Sequence, residues 1–481
     1  MVDLSASANM NYKPSLYMAH KILDEFVVGE FESRMATFTN WMLANQHVNL
    51  AGQRSSGKTH IVRNVARLLP EKNGMFELTA GSDKAGYYEA EALKAHSHVM
   101  IPELNKLNKE AKETLKSWGE GVEAKYKTVV LEGGNRRVQT YVLPPRPFIF
   151  CLADEEEEEI DDQLRSRLTV IRTDISEAQN LSVMEQQAEL ALMRENVKGV
   201  SVAELDNMKV HIGTLPPWDV EAFRHPAAKA FIQCIPPVFT DCRRDFPKYL
   251  RNTYGITRFH WKERLSVKIG EKRVWIVTPA DMYLNHVIYG NVLVESSLRC
   301  SNMERQLISI LQRSKDPLDV VVLQREVRKI GMNISARMIT GHMRDLSELG
   351  YVDAVKFSGT TVYKPGALFK DFSFDVDWKN VVAECVSNVR EYYPEVAEEY
   401  VRRYCSEPVA VHPFVGVDVN ILKFVTPKIE VGLSSFSKSG LSDEDSDTSG
   451  VDSVVTTSTT LDSSVSKPSI GLDVVEEKIE D

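Results

Sequence analysis

The chain has 481 residues, of which 43% are apolar and 26% are charged, and its 58 Lys and Arg residues against 68 Asp and Glu residues give a net charge of −10. This composition is typical of a globular protein with a substantial core, and the length predicts about three domains. No signal sequence opens the chain, and no apolar run reaches the roughly 18 residues that a membrane helix needs. We therefore expect a cytoplasmic protein without a membrane partner, located in the host cytoplasm if a plasmid or virus encodes it.

Residues 1–45 are predicted to form an amphipathic helical lead-in, and the segment 46–175 alternates short apolar runs with helical patterns. Strands separated by helices predict an α/β domain built on a parallel sheet. The apolar runs that we assign to strands cover residues 48–51, 75–78, 98–101, 148–152 and 169–172.

A phosphate-binding loop follows the first of these runs. Residues 52–59 match G-x-x-x-x-G-K-[ST] at every fixed position, and helical periodicity follows. In such a loop, backbone N–H groups surround the phosphates at a helix N-terminus. Lys58 is expected to neutralise the β- and γ-phosphates of ATP, and the Thr59 hydroxyl to bind Mg²⁺. A chance glycine-rich turn is the alternative. The predicted nucleotide-binding residues are Gly52, Gln53, Arg54, Ser55, Ser56, Gly57, Lys58 and Thr59.

Glu103 follows the run 98–101, at a position where a P-loop ATPase needs an acidic group. Its carboxylate is expected to polarise the attacking water as general base. Pro102 occupies the preceding position, where an aspartate usually holds the Mg²⁺ shell, which leaves metal affinity and turnover open. The alternative is that Glu103 caps the helix that follows it.

A predicted β-hairpin lies between this acidic residue and the strand 148–152. Two β-rich runs flank a Gly-Gly-Asn turn at residues 133–135, after the segment Ile-Pro-Glu-Leu-Asn-Lys-Leu at 101–107 and a helical pattern. This order of parts resembles the AAA+ ATPases and, within them, the minichromosome maintenance (MCM) replicative DNA helicases. The resemblance implies an α/β fold: a P-loop AAA+ core with a parallel sheet and a pre-sensor 1 β-hairpin, a helical lid and a C-terminal winged helix. It extends over residues 45–365 and implies a minimal form without the family's N-terminal domain.

The same resemblance implies roles for five further residues. Arg136 and Arg137 beside the hairpin tip would grip DNA in the pore of a ring, although ordinary solvated arginines are the alternative. Asp154 stands at the sensor 1 position, and the glutamates that follow it suit a solvated loop. Arg167 matches the arginine finger that reaches a neighbouring subunit's ATP, with an intramolecular salt bridge as the alternative. Arg258 matches the sensor 2 arginine of the lid.

Three helical patterns and a hairpin over residues 300–366 predict a winged helix-turn-helix. Arg337 and Arg344 lie on its third helix and are predicted to contact DNA. Because winged helices also serve as protein-binding modules, the alternative that this module binds a protein is equally open.

Residues 431–481 contain 11 acidic residues, 3 basic residues and 18 Ser or Thr, a composition that predicts disorder. The sequence does not identify a partner for this tail. The predicted domains are residues 1–45 (helical lead-in), 46–175 (AAA+ α/β core), 176–295 (helical lid), 300–366 (winged helix-turn-helix), 367–430 (helical extension) and 431–481 (disordered acidic tail).

The function implied by the resemblance is an ATP-dependent DNA helicase or translocase for DNA replication. Its ligands would be ATP, Mg²⁺ and DNA, and its assembly a homo-oligomeric ring, a hexamer. The alternative is an AAA+ switch that binds DNA through the winged helix and loads or remodels a partner without unwinding. A nucleotide-binding scaffold with feeble hydrolysis is a third hypothesis, because Pro102 departs from the usual acidic pair.

Overall fold

The helices and strands are seen in a computed structural model of the chain. The structure describes residues 13–72, 74–78, 90–107, 109–132, 135–153, 160–174, 176–192, 202–235, 242–297, 300–314, 316–329, 334–357, 359–366 and 376–424. The predicted disordered tail, residues 431–481, lies outside them. No described helix is both long and apolar enough to cross a bilayer.

The strands are β1 (Val48–Gly52), β2 (Met75–Glu77), β3 (His98–Ile101), β4 (Ala124–Glu132), β5 (Asn135–Leu143), β6 (Phe148–Ala153), β7 (Thr169–Arg172), β8 (Phe223–Arg224), β9 (Ser266–Ile269), β10 (Lys272–Ile276), β11 (Leu318–Asp319), β12 (Val352–Phe357), β13 (Thr360–Pro365), β14 (Val409–Val411) and β15 (Asp418–Asn420).

The α-helices are α1 (Leu16–Asp24), α2 (Phe31–Thr37), α3 (Lys58–Ala66), α4 (Ala90–Ala95), α5 (Lys109–Gly119), α6 (Asp162–Arg165), α7 (Glu177–Ala191), α8 (Val202–Gly213), α9 (Cys242–Phe259), α10 (Pro279–Ser297), α11 (Asn302–Arg313), α12 (Val320–Lys329), α13 (Ala336–Glu348), α14 (Trp378–Tyr392) and α15 (Pro394–Tyr400).

A five-stranded parallel sheet with the strand order β2-β3-β6-β1-β7 forms the centre of the N-terminal part. Every residue of β1, β3 and β6 is buried, because helices cover both faces of a parallel sheet. This burial explains why these strands are continuous apolar runs in the sequence. The expected parallel α/β arrangement is confirmed, and the loop 52–59 leaves the sheet at the carboxyl end of β1.

The hairpin β4–β5 is paired in register from Ala124 opposite Leu143 to Glu132 opposite Asn135. Its base is buried, since Ala124 is 5% and Leu143 2% exposed, and the Trp118 indole N–H donates to the Leu143 carbonyl oxygen at 3.4 Å. Residues 137–140 are exposed on both faces, so the distal half projects away from the body.

The segment that we assigned to a helical lid contains more than helices. Helices α7 to α10 are present, but β8, β10 and β9 form a three-stranded sheet within the same segment. Buried side-chain hydrogen bonds join α9 to α10, for example from the Asn252 amide to Asn285 Oδ1 at 2.8 Å. Arg264, just after α9, forms a two-pronged ion pair with Asp281 of α10, with N–O distances of 2.7–3.1 Å.

Residues 302–365 form three helices and the three-stranded sheet β11-β13-β12. Ser301 and Ser335 cap α11 and α13 with their hydroxyl groups, which accounts for where these two helices begin. That this module is a winged helix-turn-helix stays a prediction. The stretch that we expected to be a helical extension also contains the hairpin β14–β15 after α14 and α15.

Candidate functional site

The loop 52–59 has the backbone of a phosphate-binding loop. Ser55 and Gly57 adopt left-handed conformations with φ of 66° and 80°, and α3 begins at the next residue, Lys58. Nothing lies within 4 Å of the position that a Cβ atom would take at Gly57. The left-handed turn at Gly57 leads directly into the first turn of α3, whose N–H groups lie at the positive end of the helix dipole, which suits an anion.

Lys58 lies inside this loop. Its ammonium donates to the carbonyl oxygens of Gly52 at 2.8 Å and Gln53 at 2.5 Å. Phosphate oxygens would be stronger acceptors than these neutral carbonyl groups, because the negative charge of a phosphate adds Coulomb attraction to the ammonium. The side chain is thus placed to exchange its present partners for phosphates.

Thr173, at the end of β7, holds the loop from the neighbouring strand. Its hydroxyl lies 2.8 Å from Ser56 Oγ, and a Cβ atom at Gly52 would lie only 2.0 Å from Thr173 Oγ1. Glycine at position 52 is therefore required by packing. The sequence analysis missed Thr173, because only the pairing of β1 with β7 brings it to the loop.

The Thr59 hydroxyl, our predicted Mg²⁺ ligand, contacts the Cys151 thiol of β6. Burial raises the pKa of this thiol to about 11, so it stays protonated and neutral. The described residues contain no cluster of His, Cys, Asp and Glu that could hold a metal ion without help. A single hydroxyl ligand still fits Mg²⁺ bound together with a nucleotide, because this ion keeps several waters and takes ligands from substrate phosphates.

Glu103 lies at the same edge of the sheet, two residues beyond β3. Its side chain is 53% exposed and forms an ion pair with Lys106, and it does not cap the short helix that follows. Glu103 thus occupies the N-cap position of this helix without making the capping hydrogen bond, and its role as general base stays a prediction. Asp154, the predicted sensor 1 residue, lies outside the described residues.

A buried carboxyl group, Glu30, also lies near this edge and was missed by the sequence analysis. Its oxygens accept from the Asp174 backbone N–H at 3.1 Å and from the Ser33 hydroxyl. Burial raises the pKa of Glu30 to about 7. The carboxyl thus connects the start of α2 to the residue after Thr173.

Arg167 lies at the opposite edge of the sheet, two residues before β7. Val48, the first residue of β1, pairs with Thr169, the first residue of β7, so Arg167 is at the amino end of both strands. The loop 52–59 begins at the carboxyl end of β1, a strand of five residues, so the two sites are about 15 Å apart along the sheet. An arginine side chain does not span this distance.

A cavity of about 410 Å³ surrounds Arg167 at this amino edge. Arg167 itself forms an ion pair with Glu120, while its Nη1 atom is buried without a hydrogen-bond partner among the described residues. The predicted intramolecular salt bridge therefore exists and leaves one donor unused. The lining residues are Gln46, His47, Gly119, Glu120, Arg167, Arg243, Arg244, Pro247, Lys248 and Arg251.

This cavity is strongly cationic. Five of its lining side chains are basic and one, Glu120, is acidic. Lys248 is neutralised by Asp245 at 3.0 Å, but no carboxylate in the described part of the chain forms an ion pair with Arg243, Arg244 or Arg251. Burial lowers the pKa of His47 to about 4, which keeps that ring neutral. Sequence reasoning missed these arginines, because only the tertiary fold brings α9 beside Arg167.

Arg258, the predicted sensor 2 residue, lies away from the loop 52–59. Its guanidinium donates to the carbonyl oxygens of Pro216 at 2.6 Å and Leu43 at 3.1 Å, and Leu43 precedes the amino end of β1. Burial lowers the pKa of Arg258 to about 10. These contacts favour a structural role, and the structure does not bring Arg258 to its own chain's phosphate-binding loop.

The predicted DNA-binding residues occupy two separate places. Arg137 is exposed on the distal half of the hairpin; the side chain of Arg136 lies outside the described atoms. On α13, Arg337 is exposed, whereas Arg344 lies 3.4 Å from Asp345 and 3.9 Å from Glu348. The two predicted DNA-binding sites are therefore separate, with an exposed arginine on each.

Residues 23–210 match a family model described as the MTBMA_p00010 P-loop domain. This segment contains the whole five-stranded sheet and the loop 52–59, and it is a P-loop domain. An α/β fold with a parallel central sheet and a P-loop domain is consistent with the AAA+ ATPases. The match to a P-loop domain supports nucleotide binding and ATPase activity.

Solved structures give distant likenesses only. NtrX from Brucella abortus, in complex with ADP, is 13% identical over 69% of this chain and 71% of that chain, with a TM-score of 0.25. Cdc6p from Pyrobaculum aerophilum is 12% identical over 80% of this chain and 98% of that chain, with a TM-score of 0.22. At these scores neither likeness adds to the argument from geometry. No curated protein matched the chain.

Proposed function

We propose that the chain is an ATP-dependent DNA helicase or translocase of the MCM-like AAA+ type, in which each ATP is hydrolysed between two copies of the chain. One observation carries this proposal: the phosphate-binding loop and the cationic cavity lie at opposite edges of one parallel sheet. A copy placed head to tail against a second copy would bring the cavity of one to the loop of the other. Such heterologous contacts close into a ring when the rotation permits.

In this arrangement the loop 52–59 binds the phosphates, Thr59 binds Mg²⁺, and Glu103 orients and deprotonates water. Arg167 acts in trans on the charge that develops at the γ-phosphate, as an arginine finger does. Arg243, Arg244 and Arg251 line the same cavity and would add to that positive field. The cis alternative fails on distance, since none of these arginines lies at the carboxyl edge.

DNA is the proposed substrate because of the hairpin β4–β5. It projects from the core domain, and Lys127 and Arg137 are exposed on it. Cations on a projecting hairpin suit backbone phosphates of a strand that is contacted without sequence readout. Motion of the hairpin relative to the nucleotide site would then move the strand.

The test is to incubate the purified chain with ATP, Mg²⁺ and a forked DNA, and to measure phosphate release and strand separation together. We expect DNA to stimulate hydrolysis and the fork to open only while ATP is hydrolysed. Hydrolysis without strand separation or translocation on any DNA form would contradict the helicase proposal while leaving an ATPase.

A further inference from the structure

Helix α7 (Glu177–Ala191) carries an apolar stripe that is exposed in the described part of the chain. Leu181 is 50%, Met184 57% and Leu192, just after the helix, 65% exposed, and Ala188 between them is exposed as well. Spacings of three and four residues place these side chains on one helical face. Among the described residues none covers this stripe.

The opposite face of α7 attaches the helix to the body. Gln179, Val183 and Gln186 are half-buried, and the Gln179 amide donates to the Val28 carbonyl oxygen at 2.8 Å. In a helix with 3.6 residues per turn these positions lie about 180° from the centre of the stripe. Large apolar side chains on a helix are usually packed inward, so the exposure of Leu181, Met184 and Leu192 on one face indicates an interaction surface.

The helix is placed next to the nucleotide site. It begins four residues after Thr173, whose hydroxyl contacts Ser56 of the phosphate-binding loop. A partner that covers the start of the stripe would therefore be a neighbour of this part of the nucleotide site. Under the proposed function, this neighbour is a second copy that presents its cationic cavity.

The distribution of charged residues also favours a second copy of the chain as the partner that covers this stripe. Residues 177–192 contain three glutamates and no Lys or Arg, and Glu185 and Glu189 are exposed beside the stripe. At the other edge of the sheet, Arg243, Arg244 and Arg251 are exposed around the cavity. Two exposed apolar residues, Pro247 in the cavity wall and Val122 near Glu120, can contact the stripe.

We infer that the outer face of α7 is the docking surface for a second copy of this chain, which binds through the edge that carries Arg243, Arg244 and Pro247. This inference rests on the proposed function. It adds the surface that would bring the phosphate-binding loop of one copy to the cationic cavity of the other. The apolar stripe supplies burial, and the flanking glutamates set the orientation by pairing with arginines.

The first test is the double variant Leu181→Ser/Met184→Ser in the full chain, studied by sedimentation velocity over a concentration series with ATP and Mg²⁺. We expect the concentration of half-assembly to rise at least about tenfold, because two side chains lose their burial. Val321→Ser/Met338→Ser, at positions that are 64% and 54% exposed elsewhere, is the matched control and should assemble like the wild type. ATP binding and the thermal melting of the isolated chain should not change, since the altered side chains are exposed.

The second test reverses charges. Glu185→Lys/Glu189→Lys copies should assemble poorly alone, and so should Arg243→Glu/Arg244→Glu copies, whereas a mixture should assemble through the swapped pairs. Unchanged half-assembly of the stripe variant, or no gain on mixing the charge variants, would overturn the inference. If mixed Arg167→Ala and Lys58→Ala copies regain hydrolysis in that case, the proposed function stands and only the docking surface is wrong. If the chain never assembles, both proposals fail.

Discussion

Lys58 and Glu103 are the two residues whose roles in ATP turnover are most easily separated. Lys58 lies inside the phosphate-binding loop, within hydrogen-bond distance of two loop carbonyl groups, whereas Glu103 stands exposed at the end of a neighbouring strand. A charge inside the loop contributes to binding in the ground state. A base at the edge of the loop contributes only when water attacks.

We predict that Lys58→Ala weakens ATP binding by about 10- to 100-fold, as loss of one charge-assisted hydrogen bond implies. Glu103→Gln should bind ATP normally and lower the hydrolysis rate by about 10²- to 10⁴-fold. Binding is measured with a fluorescent ATP analogue and hydrolysis by phosphate release. Glu113→Gln is the control, since Glu113 is equally exposed and also pairs with a lysine three residues later. Equal hydrolysis by wild type and Glu103→Gln would remove Glu103 from the mechanism and make Asp154 the next candidate.

Glu30 predicts a pH dependence of stability. With a folded pKa of about 7 against an ordinary value of 4.5, the folded chain holds more protons than the unfolded chain in this interval. This carboxyl therefore makes the free energy of unfolding fall as the pH rises from about 4.5 to 7. Glu30→Gln should lack this decrease, so the variant should gain up to about 3 kcal/mol relative to the wild type between pH 4.5 and 8. Urea unfolding across that range is the measurement, with Glu71→Gln as an exposed control, and parallel curves would contradict the assignment.

The hairpin β4–β5 is the element on which the proposed helicase activity depends. Its buried base and exposed distal half make it an arm fixed to the core domain. It contacts none of the predicted nucleotide-binding residues among the described hydrogen bonds and ion pairs. Substitutions on its distal half should therefore affect DNA and leave the phosphate-binding loop intact.

We predict that Arg136→Ala/Arg137→Ala preserves basal ATP hydrolysis and sharply reduces DNA stimulation and unwinding. The salt dependence of single-strand DNA binding should also flatten, by a slope of roughly 0.7 for each lost phosphate contact. The comparison variant is Arg337→Ala/Arg344→Ala in the C-terminal module, measured over the same salt series. A switch that binds DNA through that module gives the reverse result, with binding lost in the comparison variant and retained in the hairpin variant.

At the scale of the whole molecule, the two edges of the sheet have different chemistry. The carboxyl edge carries the phosphate-binding loop and Glu103, and the amino edge carries Arg167 and the arginines of α9. Among the described residues, the predicted groups for phosphoryl transfer are divided between the two edges. Activity should consequently require contact between copies.

Mixing variants tests this directly. Arg167→Ala and Lys58→Ala copies should each be nearly inactive, and an equal mixture should regain hydrolysis, since random assembly gives about a quarter of the interfaces an intact loop and an intact finger. The double variant Lys58→Ala/Arg167→Ala mixed with Lys58→Ala has no intact loop and should stay inactive. Hydrolysis per wild-type chain should also rise with concentration until assembly is complete. Absence of recovery in a mixture that co-assembles would make Arg167 a structural residue only.

The sequence alone determined the features that depend on local pattern. The loop 52–59 was predictable because its spacing is contiguous, and the buried strands because a parallel sheet covered on both faces needs unbroken apolar runs. The hairpin β4–β5 and the three helical patterns within residues 300–366 were predictable for the same reason. In contrast, Thr173 reaches the loop only through the pairing of β7 with β1, and Glu30 reaches Asp174, the residue after Thr173, only through the fold of the lead-in.

The tertiary structure alone decided which arginines share a site. Arg258 resembled a nucleotide-sensing residue in the sequence, but the fold directs its donors to the backbone of Pro216 and Leu43. Arg243 and Arg244 had no recognisable motif, yet α9 packs so that they line one cavity with Arg167. A short motif is encoded by neighbours in the chain, whereas a site made of distant residues depends on strand order and helix packing, which the local pattern does not specify.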